Sequence, residues 1–234
     1  MGIAAKVRRR FDLMSLGPVA RAVVGDRLTY LPAEKLRRIE RVLKQADADG
    51  VPGDIVEFGV ALGGSGIMLA HHAQQGRRFM GLDVFAMIPP PTSEKDDAKS
   101  KARYATISSG SSKGLGGDTY YGYRDHLYEE VKANFARHGV PVDGTRVQLH
   151  RGLFEETWPR LDVKAIAVAH VDCDWYDPVR YCLQAISRKM STNGVVIIDD
   201  YNDYGGCRTA VDEFVATRSD YVFEDGVNPF LRKI

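Results

Sequence analysis

Between residues 54 and 218, short apolar runs of strand-forming residues alternate with longer segments whose apolar positions recur every three or four residues. This alternation constrains the chain most, because strands separated by helical crossovers pair in parallel. The strand candidates are residues 54–58, 78–83, 146–150, 165–172 and 194–199. Between them lie helix candidates 66–75, 125–137, 178–190 and 208–218. The pattern predicts an α/β fold, a doubly wound, mostly parallel sheet with helices on both faces. A further helix is predicted over 32–45, where Leu36, Ile39 and Leu43 share a face and Pro32 suits the first turn. Near the end, 221–224 and 230–233 flank Asp225-Gly226-Val227-Asn228-Pro229, which predicts a C-terminal antiparallel hairpin and a seven-stranded sheet. The 234 residues fit one domain, and 44% hydrophobic against 27% charged residues supply both a core and a solvated surface.

Charge and cysteine usage exclude several classes. With 32 basic and 31 acidic residues, no chain-wide field recruits nucleic acid or an anionic membrane. No stretch reaches the roughly 18 uninterrupted apolar residues of a membrane helix. The basic run from Lys6 to Arg10 leads into a segment broken by Asp12, Pro18 and Arg21, unlike a signal peptide. Lys6 also stands where a myristoylation pattern needs Ser or Thr. Cys173, Cys182 and Cys207 form an odd set with no C-x-x-C pair, which points to a reducing, cytoplasmic setting and away from a thiolate metal site.

One stretch is compositionally biased. Residues 89–118 open with Pro89-Pro90-Pro91 and run into a Ser- and Gly-rich part over 108–117. Structureless loops beyond about 12–15 residues in a compact domain are commonly lids or binding loops, so 86–125 is expected to be a mobile lid or substrate loop.

The first strand candidate runs through Glu57-Phe58-Gly59 to Gly63-Gly64-Ser65 and into a helix. Such a turn lets the backbone approach a nucleoside closely, or it serves packing alone. Its form, E-x-G-x-x-x-G-G-S, differs from the dinucleotide fingerprint, and the acid at the strand end would repel pyrophosphate. It suits a ligand with an ammonium and ribose hydroxyls, as in S-adenosylmethionine. Asp83 closes the second strand candidate, where nucleotide-binding sheets set an acid against ribose.

Two later apolar runs end in paired acids: Asp172-Cys173-Asp174-Trp175-Tyr176 and Asp199-Asp200-Tyr201. In a parallel sheet the carboxyl ends of strands share one edge, so Asp172, Asp174, Asp199 and Asp200 should converge beside the cofactor. Such a cluster raises its own pKa values unless a cation compensates, and all-oxygen ligation favours Mg2+. A salt-bridge set with Arg208 or nearby lysines is the structural alternative. Joint ligation by Asp199 and Asp200 requires the strand to end there, and 201–206 reads as a turn. His170 reads as a packed strand residue. His71 and His72 show no ligand spacing, Ser65 and Ser111-Ser112 lack a nucleophile constellation, and Cys173 between two acids is a spacer.

These residues resemble the macrocin O-methyltransferase family, Mg2+- and S-adenosylmethionine-dependent enzymes that methylate sugar hydroxyls of antibiotic glycosides. The resemblance runs from Leu28-Thr29-Tyr30-Leu31 through Glu57-Phe58-Gly59-Val60, Gly63-Gly64-Ser65 and Gly152-Leu153-Phe154-Glu155-Glu156-Thr157. It continues through the two acidic strand ends to Gly206-Cys207-Arg208-Thr209-Ala210-Val211-Asp212-Glu213-Phe214. It implies a class I methyltransferase fold and a homo-oligomer. Asp172, Asp199 and Asp200 would be the Mg2+ ligands and Asp174 the general base. Glu57, Gly59, Gly63, Ser65 and Asp83 would form the cofactor site, and Thr29 and Tyr30, within an N-terminal segment of residues 1–50, would fold over it. Two departures concern the acceptor side: Phe85-Ala86-Met87-Ile88-Pro89 replaces an acidic residue and glycine, and residues 91–125 look expanded.

The expected reaction is transfer of the sulfonium methyl to a hydroxyl that Mg2+ coordinates, with Asp174 taking the proton. The acceptor is expected to be a glycoside. Asp172-Cys173-Asp174 also fits the D-x-D of a metal-dependent glycosyltransferase, although the Glu57 turn and the Asp199-Asp200 pair count against it. A non-catalytic cofactor-binding protein is the third reading.

Overall fold

The computed structural model describes residues 13–73 and 76–234. The basic run from Lys6 to Arg10, Asp12, and the last two positions of the 66–75 helix candidate lie outside them. Helix α1 (Pro18–Gly25) and helix α2 (Ala33–Ala48) precede strand β1 (Asp54–Phe58). Helix α3 (Gly64–Ala73), strand β2 (Phe79–Asp83), helix α4 (Ala98–Ser108), helix α5 (Leu127–Arg137) and strand β3 (Val147–Arg151) follow. Then come the one-turn helix Phe154–Thr157, strand β4 (Ile166–Val171), helix α6 (Tyr176–Ile186), strand β5 (Met190–Ile198), helix α7 (Gly205–Ala216), and strands β6 (Tyr221–Glu224) and β7 (Phe230–Lys233).

The sheet has seven strands in the order β3-β2-β1-β4-β5-β7-β6. The first five are parallel, and β7 runs antiparallel to both β5 and β6. The central strands are buried on both faces, which explains their continuous apolar character. One layer, with Leu36, Ile39, Ile67 and Phe135, packs helices α1, α2, α3 and α5 on one face. The other, with Val179, Leu183, Cys207 and Val211, packs α6 and α7 on the opposite face. Strand order reverses between β1 and β4, and a crevice opens there beyond the strand ends.

Two boundaries differ from expectation by four residues. Helix α6 stops at Ile186, four residues short of the predicted end, because Met190 already pairs with Ile166 in the sheet. Strand β5 reaches back to Met190 across a register shift, where Asn193 at φ +64° breaks the apolar pattern. Residues 86–125 are not structureless: they carry α4 and two short 3-10 turns, Leu115–Gly117 and Tyr121–Tyr123. Helix α4 buries only Ser100 and Ile107, too little to give an apolar stripe. Its start is nevertheless capped by Asp97, which accepts the Ser100 N–H at 2.8 Å. The three cysteines are free and buried, and no described helix is long and apolar enough to cross a membrane.

Candidate active site

Register sets the site. Phe58 lies beside Val171, and Val171 beside Ile198, so the residues that follow, Gly59, Asp172 and Asp199, leave the sheet at one level. The ladder runs on for one more bond on each side: the Asp172 N–H donates to Phe58 O at 2.9 Å and the Asp199 N–H to Val171 O at 3.0 Å. Beyond Asp199 the chain turns, and Asp200 O accepts the N–H groups of Asp203 and Tyr204. That turn lets both acids face the crevice. Asp172, Asp199 and Asp200 each offer an oxygen, all within 4.8 Å of one another.

Asp174 completes the quartet. Its backbone is left-handed, at φ +58°, and its N–H donates to Asp200 Oδ2 at 3.0 Å. Ala61 and Phe85, whose N–H groups both donate to Asp83, are also left-handed, at φ +47° and +48°. Such conformations persist where surrounding structure holds them, commonly around a functional site. Burial, reinforced by Asp199 and Asp203, pushes the Asp174 carboxyl up to about 7 against the pull of Arg103 and Lys35. Burial and the neighbouring acids also hold Asp172 and Asp200 well above the usual carboxylate range.

Asp199 goes the other way despite its burial, because it faces His170 and Lys35. Lys35 Nζ, reaching over from α2, lies 2.8 Å from Asp199 Oδ2, 2.8 Å from Asp203 Oδ2 and 2.9 Å from Asp199 O. His170 sits in the sheet between Glu57 Oε1, 3.0 Å from Nδ1, and Asp199 Oδ1, 3.8 Å from Nε2. Burial alone would lower its pKa, but Asp199 and Glu57 raise it to about 10.

Two adjoining cavities meet at Asp172, Asp174 and Trp175. One, of about 450 Å³, runs past Gly59, Asp83 and Phe154. The other, of about 410 Å³, is walled by Tyr30, Tyr120 and Tyr204 with Lys99 and Arg103 of α4. The 86–125 segment roofs this junction. Trp175 Nε1 donates to Pro89 O at 3.0 Å, the Tyr176 N–H to Asp96 Oδ1 at 2.9 Å, and the Gly205 N–H to Asp97 Oδ2 at 2.9 Å.

The expected cofactor residues separate into two groups. Gly59 and Asp83 line the first cavity and Tyr30 the second. Glu57 lines neither: it is fully buried behind the turn, bonded to His170, with Oε2 unpartnered. Gly63 faces helix α5, since a Cβ there would lie 2.9 Å from the Phe135 ring. Ser65 is buried at the start of α3, and Thr29 Oγ1 accepts the Leu31 N–H at 3.1 Å. Asp83 clamps the turn, with Oδ2 accepting from Val60 and Ala61 and Oδ1 from Phe85. Sequence reasoning passed over Lys35 and Arg103 altogether and took His170 for packing. Only their neighbours in the folded chain mark them out.

A seven-stranded sheet with a reversed C-terminal hairpin and a crevice at the strand-order reversal is the class I methyltransferase architecture. The O-methyltransferase NovP superposes on it with a TM-score of 0.71 at 22% identity, over 97% of this chain and 98% of that one. The chain matches the Macrocin-O-methyltransferase (TylF) family over residues 14–221, and it belongs to that family. Among relatives, it is 29% identical over 204 residues to 8-demethyl-8-(2,3-dimethoxy-alpha-L-rhamnosyl)-tetracenomycin-C 4'-O-methyltransferase of Streptomyces olivaceus, covering 86% of this chain and 71% of that one. It is 28% identical to demethyldecarbamoylnovobiocin O-methyltransferase of Streptomyces niveus, over 80% and 68% of the two chains. Membership decides between the two enzyme readings in favour of O-methyl transfer.

Proposed function

We propose that this methyltransferase uses S-adenosylmethionine and Mg2+ to methylate a hydroxyl on the sugar of a glycosylated small molecule, in the cytoplasm. The observation that carries the reading is the convergence of three carboxylate oxygens within 4.8 Å of one another in the tyrosine-walled cavity, beside its junction with the first. Asp199 Oδ1 is buried without a hydrogen-bond partner, the condition a hard cation satisfies. Asp172, Asp199 and Asp200 would hold the ion. The cavity past Gly59 and Asp83 would take the cofactor, and the tyrosine-walled cavity the acceptor. Bound there, S-adenosylmethionine supplies an electrophilic methyl and Mg2+ the charge that acidifies the acceptor hydroxyl. Asp174 takes the hydroxyl proton on its carboxylate. Trp175 and the roofing segment exclude water, and Tyr30, Tyr120 and Tyr204 orient the sugar ring.

Incubation with S-adenosylmethionine, Mg2+ and a panel of rhamnosylated and other glycosides tests this, with methylated product read by mass spectrometry. Cofactor binding without methylation of any sugar hydroxyl would overturn the substrate assignment.

A further inference from the structure

Helix α4 brings two cations to the tyrosine-walled cavity. Lys99 and Arg103 stand one turn apart, so they share a face, and both line the tyrosine-walled cavity. Among the described residues, neither is paired with a carboxylate. Arg103 Nη1 donates to Ser112 Oγ at 3.0 Å, and Lys99 Nζ to the backbone oxygen of Asp203. Their rings are neutral as well, Arg103 lying 5.5 Å from the Tyr120 centroid and Lys99 5.1 Å from that of Tyr204.

Arg103 is half-buried, and a guanidinium on a cavity wall with most of its donors unused suits a planar or tetrahedral oxyanion. Among the described residues no carboxylate of the site pairs with Arg103, although its charge opposes the rise of the Asp174 pKa. Asp199 and Asp203 are held by Lys35, and Asp172 and Asp200 converge with Asp199. A neutral sugar would find all it needs in the three tyrosines and the carboxylates. The cations add a preference that a neutral sugar leaves unused.

We propose that α4 selects an acceptor bearing an anionic group, a phosphate or a carboxylate, beside the sugar that is methylated, and that Arg103 and Lys99 receive that group. The inference rests on the tyrosine-walled cavity being the acceptor site. The anion would sit on the α4 side of that cavity, against the guanidinium fork. Arg103 thereby sets which sugars enter.

The test is calorimetry on the full chain loaded with S-adenosylhomocysteine and Mg2+. Three probes are compared: methyl rhamnoside, a nucleoside-diphosphate rhamnose, and a methyl uronide carrying a carboxylate. An anionic probe should bind roughly 10- to 100-fold more tightly than the neutral one, as charge-assisted bonds predict, and Arg103→Gln should remove most of that difference. Preference for the diphosphate alone identifies a phosphate, and preference for the uronide alone a carboxylate. S-adenosylhomocysteine affinity should be retained in the variant, showing that the fold survives. Lys99→Gln supplies a second, milder variant should Arg103→Gln misfold. Equal affinity for neutral and anionic probes, no binding by any of them, or an anionic preference unchanged by both variants would overturn the proposal. A direct bond from diphosphate to metal would persist in the variants, so it is read as the last of these. If an anionic probe binds through Arg103 yet receives no methyl from S-adenosylmethionine, the anion site stands and the acceptor reading fails.

Discussion

Lys35 Nζ lies 2.8 Å from Asp199 Oδ2, joining helix α2 to the end of β5 across 164 positions of sequence. Both side chains are almost out of water, at 10% and 5% exposure. The ammonium also bonds Asp203, and these acids raise its pKa despite the opposing effect of burial. Removing one partner of a buried pair costs roughly 3–5 kcal/mol because the other is left unpaired. Lys35→Met should therefore lower Tm by at least about 6 °C in a chain of this size, and Lys35→Arg by less. Thermal denaturation followed by circular dichroism checks this. Lys164→Met is the control: its pair with Asp162 is 82% and 76% exposed and should contribute almost nothing.

Two glycines of the first turn should fail in different ways. A Cβ on Gly59, at φ +93°, would lie 1.8 Å from Asp172 O, so Gly59→Ala must part β1 from the strand end that carries the acids. Loss of both S-adenosylhomocysteine binding and Mg2+ binding is expected. At Gly63, φ +94°, the obstacle is the Phe135 ring, so Gly63→Ala should cost about 1–3 kcal/mol of stability through α5 packing. The folded variant should keep its cofactor affinity. Calorimetry on both proteins separates the two cases, and equal cofactor loss in both would place Gly63 in the cleft.

What the sequence disclosed and what it hid follow from the range of the interactions. The five parallel strands are legible because each is a short apolar run, and Asp172, Asp199 and Asp200 because they end two such runs that topology must bring to one edge. Lys35 is one of several cations on a helix that also carries Arg37, Arg38 and Arg41, and nothing local tells which turns inward. His170 is buried like every other residue of β4, and its partners Glu57 and Asp199 come from neighbouring strands. Helix α4 was legible in principle, since Asp97 precedes a run of Ala and Lys, but proline and glycine on either side outweighed that signal. Glu57 and Gly63 show a further limit: a motif places residues at a turn without telling which face each side presents.

The acid cluster gives the metal-free protein a distinctive pH dependence. Asp174 has a folded-state pKa of about 7, and Asp172 and Asp200 are also raised, mainly by burial. A raised carboxyl pKa means that the native state binds protons more tightly than the unfolded chain, so stability falls as pH rises from about 4 to about 7. Asp199, whose pKa is lowered, opposes this only in part. In chelator, Tm should drop over that window, and saturating Mg2+ should reduce the drop by compensating the same charges. Identical Tm–pH curves with and without Mg2+ would remove the ion from the carboxylate site.

The last prediction divides the four acids by role. Asp174 sits at φ +58°, a conformation that Asn tolerates better than other side chains, so Asp174→Asn should preserve the backbone and its N–H bond to Asp200 Oδ2. What it removes is the carboxylate that accepts the proton. Turnover should fall by about 10²- to 10⁴-fold, the range typical of a lost general base, with cofactor and Mg2+ affinities little changed. Asp172→Asn, Asp199→Asn and Asp200→Asn keep an oxygen at the cluster but lose its charge, so each should weaken Mg2+ binding and recover part of its turnover when Mg2+ is raised. Single-turnover rates measured across a Mg2+ series distinguish the two patterns. Recovery of Asp174→Asn with added Mg2+ would make that residue a metal ligand. Full turnover by it at every pH would assign proton removal to another group.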